Sequence, residues 1–82
     1  MTDQQAARNA IREAMSDIVG RKVKDDEAII SSGLIDSLAV LKLISKMEQK
    51  LGIRIPPNDL QPDDFDTVEI TLETLKRVAA QT

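Results

Sequence analysis

The chain has 82 residues, a formal charge of −3 at pH 7, one aromatic residue, no cysteine and no histidine. The missing cysteines exclude disulfides and cysteine-based metal sites, and the missing histidines exclude a Ser-His-Asp triad. A negative charge and a single aromatic ring argue against a nucleic-acid partner. No apolar run reaches the roughly 18 residues that cross a bilayer, and the first residues show no signal-peptide pattern. We therefore expect one cytoplasmic domain over residues 1–82, without membrane insertion.

The first predicted helix covers residues 4–19 and is followed by Gly20, a common helix stop. Thr2 or Asp3 is the candidate N-cap. Apolar residues recur at helical spacing, namely Ala7, Ile11, Ala14 or Met15, and Ile18. This face is expected to enter the core.

A long loop is predicted over residues 21–36, where the charged piece RKVKDDE precedes AIISSGLID. About sixteen residues is long for a loop in so small a domain, and such loops often carry function. The charged residues are expected to form a solvated run, namely Lys22, Lys24, Asp25, Asp26 and Glu27. The residues expected to hold the loop on the core are Ile29, Ile30, Leu34 and Ile35.

The second predicted helix, residues 37–51, has the clearest apolar pattern in the chain. One stripe consists of Val40, Ile44, Met47 and Leu51, and it is widened by Leu38, Leu41 and Leu43. A helix that is apolar over much of its girth is expected to pack on more than one side. Gly52 is predicted to cap its C-terminus, and the prolines at 56 and 57 prevent its continuation.

The last third of the chain predicts a short helical turn within residues 58–66, anchored by Leu60 and Phe65, and a final helix. Asp66 is predicted to cap that helix, with Glu69 completing an acidic relative of the capping box. Its core-facing residues are expected to be Val68, Leu72, Leu75 and Ala79, with Val78 beside them. Three longer helices and one short one predict an all-α fold, a small four-helix bundle.

The string GLIDSL, residues 33–38, needs an explanation beyond secondary structure. The simplest is that Ser37 caps the second helix, because serine is a preferred N-cap. Catalysis is excluded, since a nucleophile elbow needs glycines where Ile35 and Ala39 stand and no histidine could activate the hydroxyl. The remaining interpretation is that another enzyme modifies Ser37, where the helix N-terminus favours an attached phosphate.

The segment GLIDSLAVLKLISKMEQKLGIRIPP resembles the core of phosphopantetheine-bearing carrier proteins. The match runs from Gly33 through Asp36, Ser37 and Leu38 to the Leu-Gly-Ile-x-Ile-Pro string of residues 51–56. The resemblance implies the acyl-carrier type of bundle. It also implies a 4′-phosphopantetheine arm on Ser37, transferred from coenzyme A by a separate Mg²⁺-dependent phosphopantetheinyl transferase. The thiol of the arm would hold cargo as a thioester, which suits a chain without cysteine.

The same resemblance implies roles for the residues around Ser37. Asp36 supports the modification and can also cap the helix. Leu38 and Leu41 are expected to combine core packing with partner contact, and Lys42 to take part in docking. Carriers of fatty-acid synthesis usually have a glutamate where this chain has Lys42, which argues against fatty-acid partners. The four aspartates of residues 58–66 lack the spacing of a calcium loop, so no metal is expected.

The string Phe65-Asp66-Thr67 is similar to the start of the last helix in stand-alone D-alanyl carrier proteins and in aminoacyl or peptidyl carriers. We expect a monomeric, non-catalytic carrier. It would receive an aminoacyl group from an adenylating ligase and present it to a downstream acyltransferase or tailoring enzyme. One alternative is an acyl carrier protein of fatty-acid, lipid or polyketide synthesis. Another is an unmodified helical interaction domain in which Ser37 is only a cap.

Overall fold

The computed structural model describes residues 4–56 and 60–80. These residues form three α-helices and one 3-10 turn, namely α1 (Gln4–Val19), α2 (Ser37–Leu51), the 3-10 turn (Pro62–Phe65) and α3 (Val68–Ala80). The first two helices have the predicted bounds. The candidate caps Thr2 and Asp3 lie outside the described residues.

The predicted short helix is a single 3-10 turn of four residues. The all-α prediction is therefore confirmed, but the described part of the chain holds three α-helices rather than four. The carbonyl of Asp64 in this turn accepts a hydrogen bond from the Thr74 hydroxyl at 2.8 Å, which attaches the turn to α3.

The core lies where α1 meets both α2 and α3, and the 3-10 turn contacts α2 and α3. The largest fully buried apolar side chains come from every helix, from the loop and from the 3-10 turn, namely Ile11, Met15, Val23, Ile29, Leu43, Met47, Phe65, Val68, Leu72 and Leu75. The prediction that Phe65 anchors the short turn is confirmed. Burial of this kind stabilises the fold by about 1.5–3 kcal/mol for each large side chain.

The prediction that α2 packs on more than one side is confirmed only in part, since α1 and the 3-10 turn both contact it but two of its apolar residues do not enter the core. Its buried residues form one stripe of Val40, Leu43 and Met47. Leu38 and Leu41 are 72% and 61% exposed, so neither contributes to the core as expected. Among the described residues α1 and the 3-10 turn are the two helical elements that contact α2, and Leu38 and Leu41 stay mostly exposed.

Two further apolar residues lie outside the core although the sequence places them in it. Leu34 is 43% exposed, whereas Ile29 is buried and Ile30 and Ile35 pack at the edge of the core. In α3, Ala79 is exposed and Val78 is buried. The buried face of α3 includes Thr71 and Thr74 in addition to apolar residues. Apolar spacing alone does not identify these threonines, so the predicted face differs from the observed one.

The cap of α3 is Thr67 and not Asp66. The Thr67 hydroxyl oxygen accepts a hydrogen bond from the backbone N–H of Ile70 at 3.0 Å, and α3 begins at Val68. Glu69 does not complete a capping box, since its carboxylate pairs with Arg8 on α1. Asp66 is unavailable as a cap because its carboxylate binds the loop before α2.

Candidate functional site

The loop between α1 and α2 is attached to the segment that joins the 3-10 turn to α3. Asp66 Oδ1 accepts hydrogen bonds from the backbone N–H groups of Ile30 at 2.8 Å and Ser31 at 2.9 Å. The carbonyl of Asp66 accepts a third bond, from the N–H of Ile29 at 2.8 Å. One residue therefore satisfies three consecutive backbone donors, and the sequence analysis missed this role.

After this attachment the chain turns back towards the start of α2. Gly33 N–H donates to the carbonyl of Ile30 at 3.0 Å, and Ile35 N–H donates to the carbonyl of Ile29 at 3.0 Å. Gly33 has φ +84°, in the left-handed region where a side chain would be strained. The glycine of GLIDSL is thus explained by the turn that places Asp36 and Ser37 at the beginning of α2.

The N-cap of α2 is Asp36. Its backbone is extended, and its Oδ1 accepts a hydrogen bond from the N–H of Ala39 at 2.9 Å. Ser37 is the first residue of the helix and is exposed. Within residues 4–56 and 60–80, no group hydrogen bonds to the Ser37 hydroxyl. The interpretation of Ser37 as the helix cap is therefore wrong, because Asp36 performs that role.

A cleft of about 120 Å³ lies beside Ser37, between α2 and the 3-10 turn. Its walls are mostly apolar and consist of Ser37, Val40, Leu41, Ile44, Leu60, Gln61, Pro62 and Phe65. A group attached to the Ser37 oxygen would meet this cleft and could place a few apolar atoms in it.

The predicted site residues lie together at the start of α2. Ser37 and Leu41 are four residues apart, as are Leu38 and Lys42, so each pair is adjacent on the helix surface. The side chains of Leu38, Leu41 and Lys42 are all exposed within the first two turns of α2.

Two residues of the charged run at the beginning of the loop, Asp25 and Glu27, form ion pairs with arginines, whereas the run was expected to be solvated. Arg12 of α1 pairs with Asp25 through Nε and Oδ1 at 2.6 Å, and this hydrogen bond lowers the pKa of Asp25. Arg21 pairs with Glu27. The hydrogen bond from Arg21, with one from the backbone of Lys24, lowers the pKa of Glu27 to about 2. These pairs hold the start of the loop in place.

The described residues contain neither a candidate metal site nor a candidate membrane span. No group of three or more aspartate, glutamate, histidine or cysteine side chains there is placed to bind a metal. No helix in those two ranges is long and apolar enough to span a membrane. Asp59, one of the four aspartates before α3, lies outside the described residues.

The chain is similar to known carrier proteins. A family model described as "Phosphopantetheine attachment site" matches residues 9–75. The D-alanyl carrier protein of Leuconostoc citreum is 28% identical over 64 residues, which cover 76% of this chain and 82% of that protein. The D-alanyl carrier protein of Listeria monocytogenes is 28% identical over 74 residues, which cover 82% of this chain and 95% of that protein. The D-alanyl carrier protein of Leuconostoc mesenteroides is 30% identical over 59 residues, which cover 70% of this chain and 76% of that protein.

The family match begins within α1, includes the whole of α2 and of GLIDSL, and ends within α3. It covers far more than half of the chain and agrees with a helical fold that exposes a serine at the start of α2. The chain therefore belongs to the phosphopantetheine attachment-site family, the carrier proteins that bear this prosthetic group covalently.

Proposed function

We propose that the chain holds an aminoacyl group as a thioester on a 4′-phosphopantetheine arm attached to Ser37. The observation that carries the proposal is the state of this hydroxyl. It is exposed at the first residue of α2 and makes no hydrogen bond within the described residues, because Asp36 caps the helix in its place. By contrast, the hydroxyls of Ser16 and Ser32 are held in local hydrogen bonds, and the other exposed serine of α2, Ser45, lies about two turns from the helix N-terminus.

The residues around Ser37 suit an attached phosphodiester. In the attachment step the Ser37 oxygen attacks the β-phosphorus of coenzyme A, and the pyrophosphate bond breaks. Adenosine 3′,5′-bisphosphate leaves, and the serine proton passes to a base of the transferase. The positive end of the α2 dipole favours the new negative charge. Asp36 supports the step by fixing the first turn, so that Ser37 is presented in one orientation.

The chain itself performs no catalysis in this proposal. When bound, the prosthetic group supplies a thiol, and cargo from an aminoacyl adenylate is held on it as a thioester with release of AMP. The protein contributes a tether, which keeps the cargo at high effective concentration near each partner. The partners are the transferase, an adenylating ligase, and a downstream acyltransferase or tailoring enzyme. We place this work in the cytoplasm, where coenzyme A is used, with residues 1–82 as one monomeric domain of the acyl-carrier type.

One observation favours an aminoacyl cargo over a long acyl chain. The similar proteins named above are D-alanyl carrier proteins. The docking residues Leu38, Leu41 and Lys42 would then guide the partner enzymes to the arm.

The proposal is tested by the intact mass of the protein after incubation with coenzyme A, Mg²⁺ and a broad-specificity phosphopantetheinyl transferase. Wild type and Ser45→Ala, which removes another exposed serine of α2, should each gain one phosphopantetheine group. Ser37→Ala should gain none. A gain in Ser37→Ala, or no gain in a folded wild type that lacks the arm, would contradict the proposal. Incubating the modified protein with an adenylating ligase, ATP and D-alanine or a fatty acid then distinguishes the two kinds of cargo.

A further inference from the structure

The string Phe65-Asp66-Thr67 contacts three different parts of the fold with three consecutive residues. The buried ring of Phe65 forms part of the wall of the cleft beside Ser37. Asp66 binds the loop that precedes Ser37, and Thr67 caps α3. The string therefore joins the start of α3 to the surroundings of Ser37, which its sequence position as a helix cap does not explain.

The hydrogen bonds that begin at Asp66 continue through the backbone of the loop. The N–H groups of Ile29 and Ile30 donate to the carbonyl and to the carboxylate of Asp66, each at 2.8 Å. The carbonyls of these two residues in turn accept hydrogen bonds from the N–H groups of Ile35 and Gly33, each at 3.0 Å. Ile29 and Ile30 thus bind Asp66 through their donors and the end of the loop through their acceptors.

The end of the loop leads directly to the hydroxyl that is modified. Ile35 is followed by Asp36, whose carboxylate caps α2. Ser37 is the first residue of that helix, so the cap fixes the turn that carries its hydroxyl. The path from Asp66 to this cap consists of two hydrogen bonds, both made by Ile29, and the peptide bond between Ile35 and Asp36.

Resting on the function proposed above, we propose that Asp66 is a positioning residue for the attachment of phosphopantetheine to Ser37. It holds the loop in the orientation in which Asp36 caps α2 and the Ser37 hydroxyl is exposed. Without this attachment the loop samples other orientations, and only a fraction of the molecules offers Ser37 to the transferase at any moment. The transferase binds that fraction alone, so KM for the carrier rises as the fraction falls, whereas kcat changes little.

The test measures kcat and KM for modification of the protein without its arm, by a broad-specificity phosphopantetheinyl transferase with saturating coenzyme A and Mg²⁺. Asp66→Ala should raise KM about 5–10-fold and change kcat less than about twofold, as a competent fraction of about one in five to one in ten implies. Asp66→Asn keeps an oxygen that can accept both side-chain hydrogen bonds. It should reduce the rise in KM to about 2–3-fold, because a neutral acceptor binds less strongly than a carboxylate. A rise as large in Asp66→Asn as in Asp66→Ala would overturn the inference, since the acceptor would not be what matters.

The matched control is Glu48→Ala, which removes the same kind of hydrogen bond, and the same charge, towards the other end of α2. Glu48 Oε2 accepts a hydrogen bond from the backbone N–H of Ile55 at 2.8 Å, so this substitution also leaves a backbone donor without its acceptor. Urea denaturation measures how far each variant is destabilised. Glu48→Ala should leave KM within about twofold of wild type, because the loop before Ser37 keeps its attachment. A rise in KM that is proportional to the loss of stability in both variants would overturn the inference.

A second measurement does not depend on the transferase. In Asp66→Ala, amide hydrogen exchange at Ile35 and Ala39 should become faster relative to the buried residue Leu43, because the loosened loop opens the hydrogen bonds that these two amides make. Glu48→Ala should leave this ratio unchanged. An unchanged ratio in Asp66→Ala would overturn the inference. If Asp66→Ala does not fold, Asp66→Asn takes its place in both measurements, with the smaller rise in KM given above.

The inference and the proposed function fail in different ways. If wild type is modified at Ser37 and KM is the same in every folded Asp66 variant, the inference is overturned and the proposed function remains intact. If a folded wild type that lacks the arm is never modified, both are overturned.

Discussion

The carboxylate of Asp66 accepts a hydrogen bond from the backbone N–H of Ile30 at 2.8 Å, across 36 positions of the sequence. The bond ties the loop before Ser37 to the start of α3. Burial tends to raise the pKa of Asp66, but the hydrogen bonds from Ser31 and Ile30 outweigh it, so the pKa lies below its ordinary value. The orientation of the loop between α1 and α2 thus depends on a charged side chain outside the GLIDSL string.

Asp66→Ala should destabilise the protein and loosen this loop. The substitution leaves the N–H groups of Ile30 and Ser31 without their acceptor, which costs about 1–3 kcal/mol in the free energy of unfolding. Urea denaturation measures the loss, and amide hydrogen exchange at Ile30 and Ser31 should become faster. Asp63→Ala, a nearby exposed aspartate, serves as the control. Unchanged exchange at both amides would contradict the role given to Asp66.

The contribution of Asp66 to stability should depend on pH. Because its pKa is lowered in the folded state, the stabilisation is fully present above the unfolded value near 3.8 and is lost as pH falls through the lower folded value. Urea denaturation of wild type and Asp66→Asn between about pH 2 and pH 6 tests this. The difference between the two should be constant above about pH 5 and should shrink below about pH 4. A difference that grows on acidification would refute the assignment.

Substitutions at Asp36 and Ser37 should have different effects on the free energy of unfolding, because only Asp36 caps α2. Asp36→Ala removes the acceptor for Ala39 N–H and should lower the free energy of unfolding by about 1 kcal/mol. Ser37→Ala should change it by less than about 0.5 kcal/mol, because the hydroxyl is exposed and makes no hydrogen bond in the described chain. Thermal unfolding of both variants gives the comparison. A larger loss for Ser37→Ala would restore the idea that this serine caps α2.

The pKa of Glu27 should report on its pair with Arg21. Arg21→Gln removes the hydrogen bond that contributes most to lowering this pKa, so the value should rise from about 2 towards the ordinary 4.5. The carboxyl ¹³C shift of Glu27, followed by NMR against pH, gives the value directly. Lys22→Gln removes a neighbouring exposed charge and should leave the pKa almost unchanged. If the pKa of Glu27 rose by a similar amount in both variants, the net charge nearby, and not the pair with Arg21, would be what lowers it.

The sequence by itself determined the features that depend on neighbours along the chain. Apolar spacing located α1 and α2 with their observed bounds. Gly52 caps α2 as predicted, with φ +65° and its N–H on the carbonyl of Glu48. The resemblance of the GLIDSL segment to carrier proteins indicated Ser37 as the candidate attachment site, and the preference of aspartate for N-cap positions made Asp36 a candidate cap, which it is. Helix periodicity and capping act within a few residues, so they can be seen without the fold.

Only the tertiary structure decided which sides of the helices are covered and which polar groups meet. Leu38 and Leu41 look like core residues by spacing, yet they are exposed because α1 and the 3-10 turn cover other sides of α2. Asp66 has the sequence position of a helix cap, yet its Oδ1 accepts hydrogen bonds from the N–H groups of Ser31 and Ile30, which are 35 and 36 residues away in the chain. Whether a residue is buried or paired depends on elements that are distant in the chain. The local sequence pattern around that residue therefore cannot predict it.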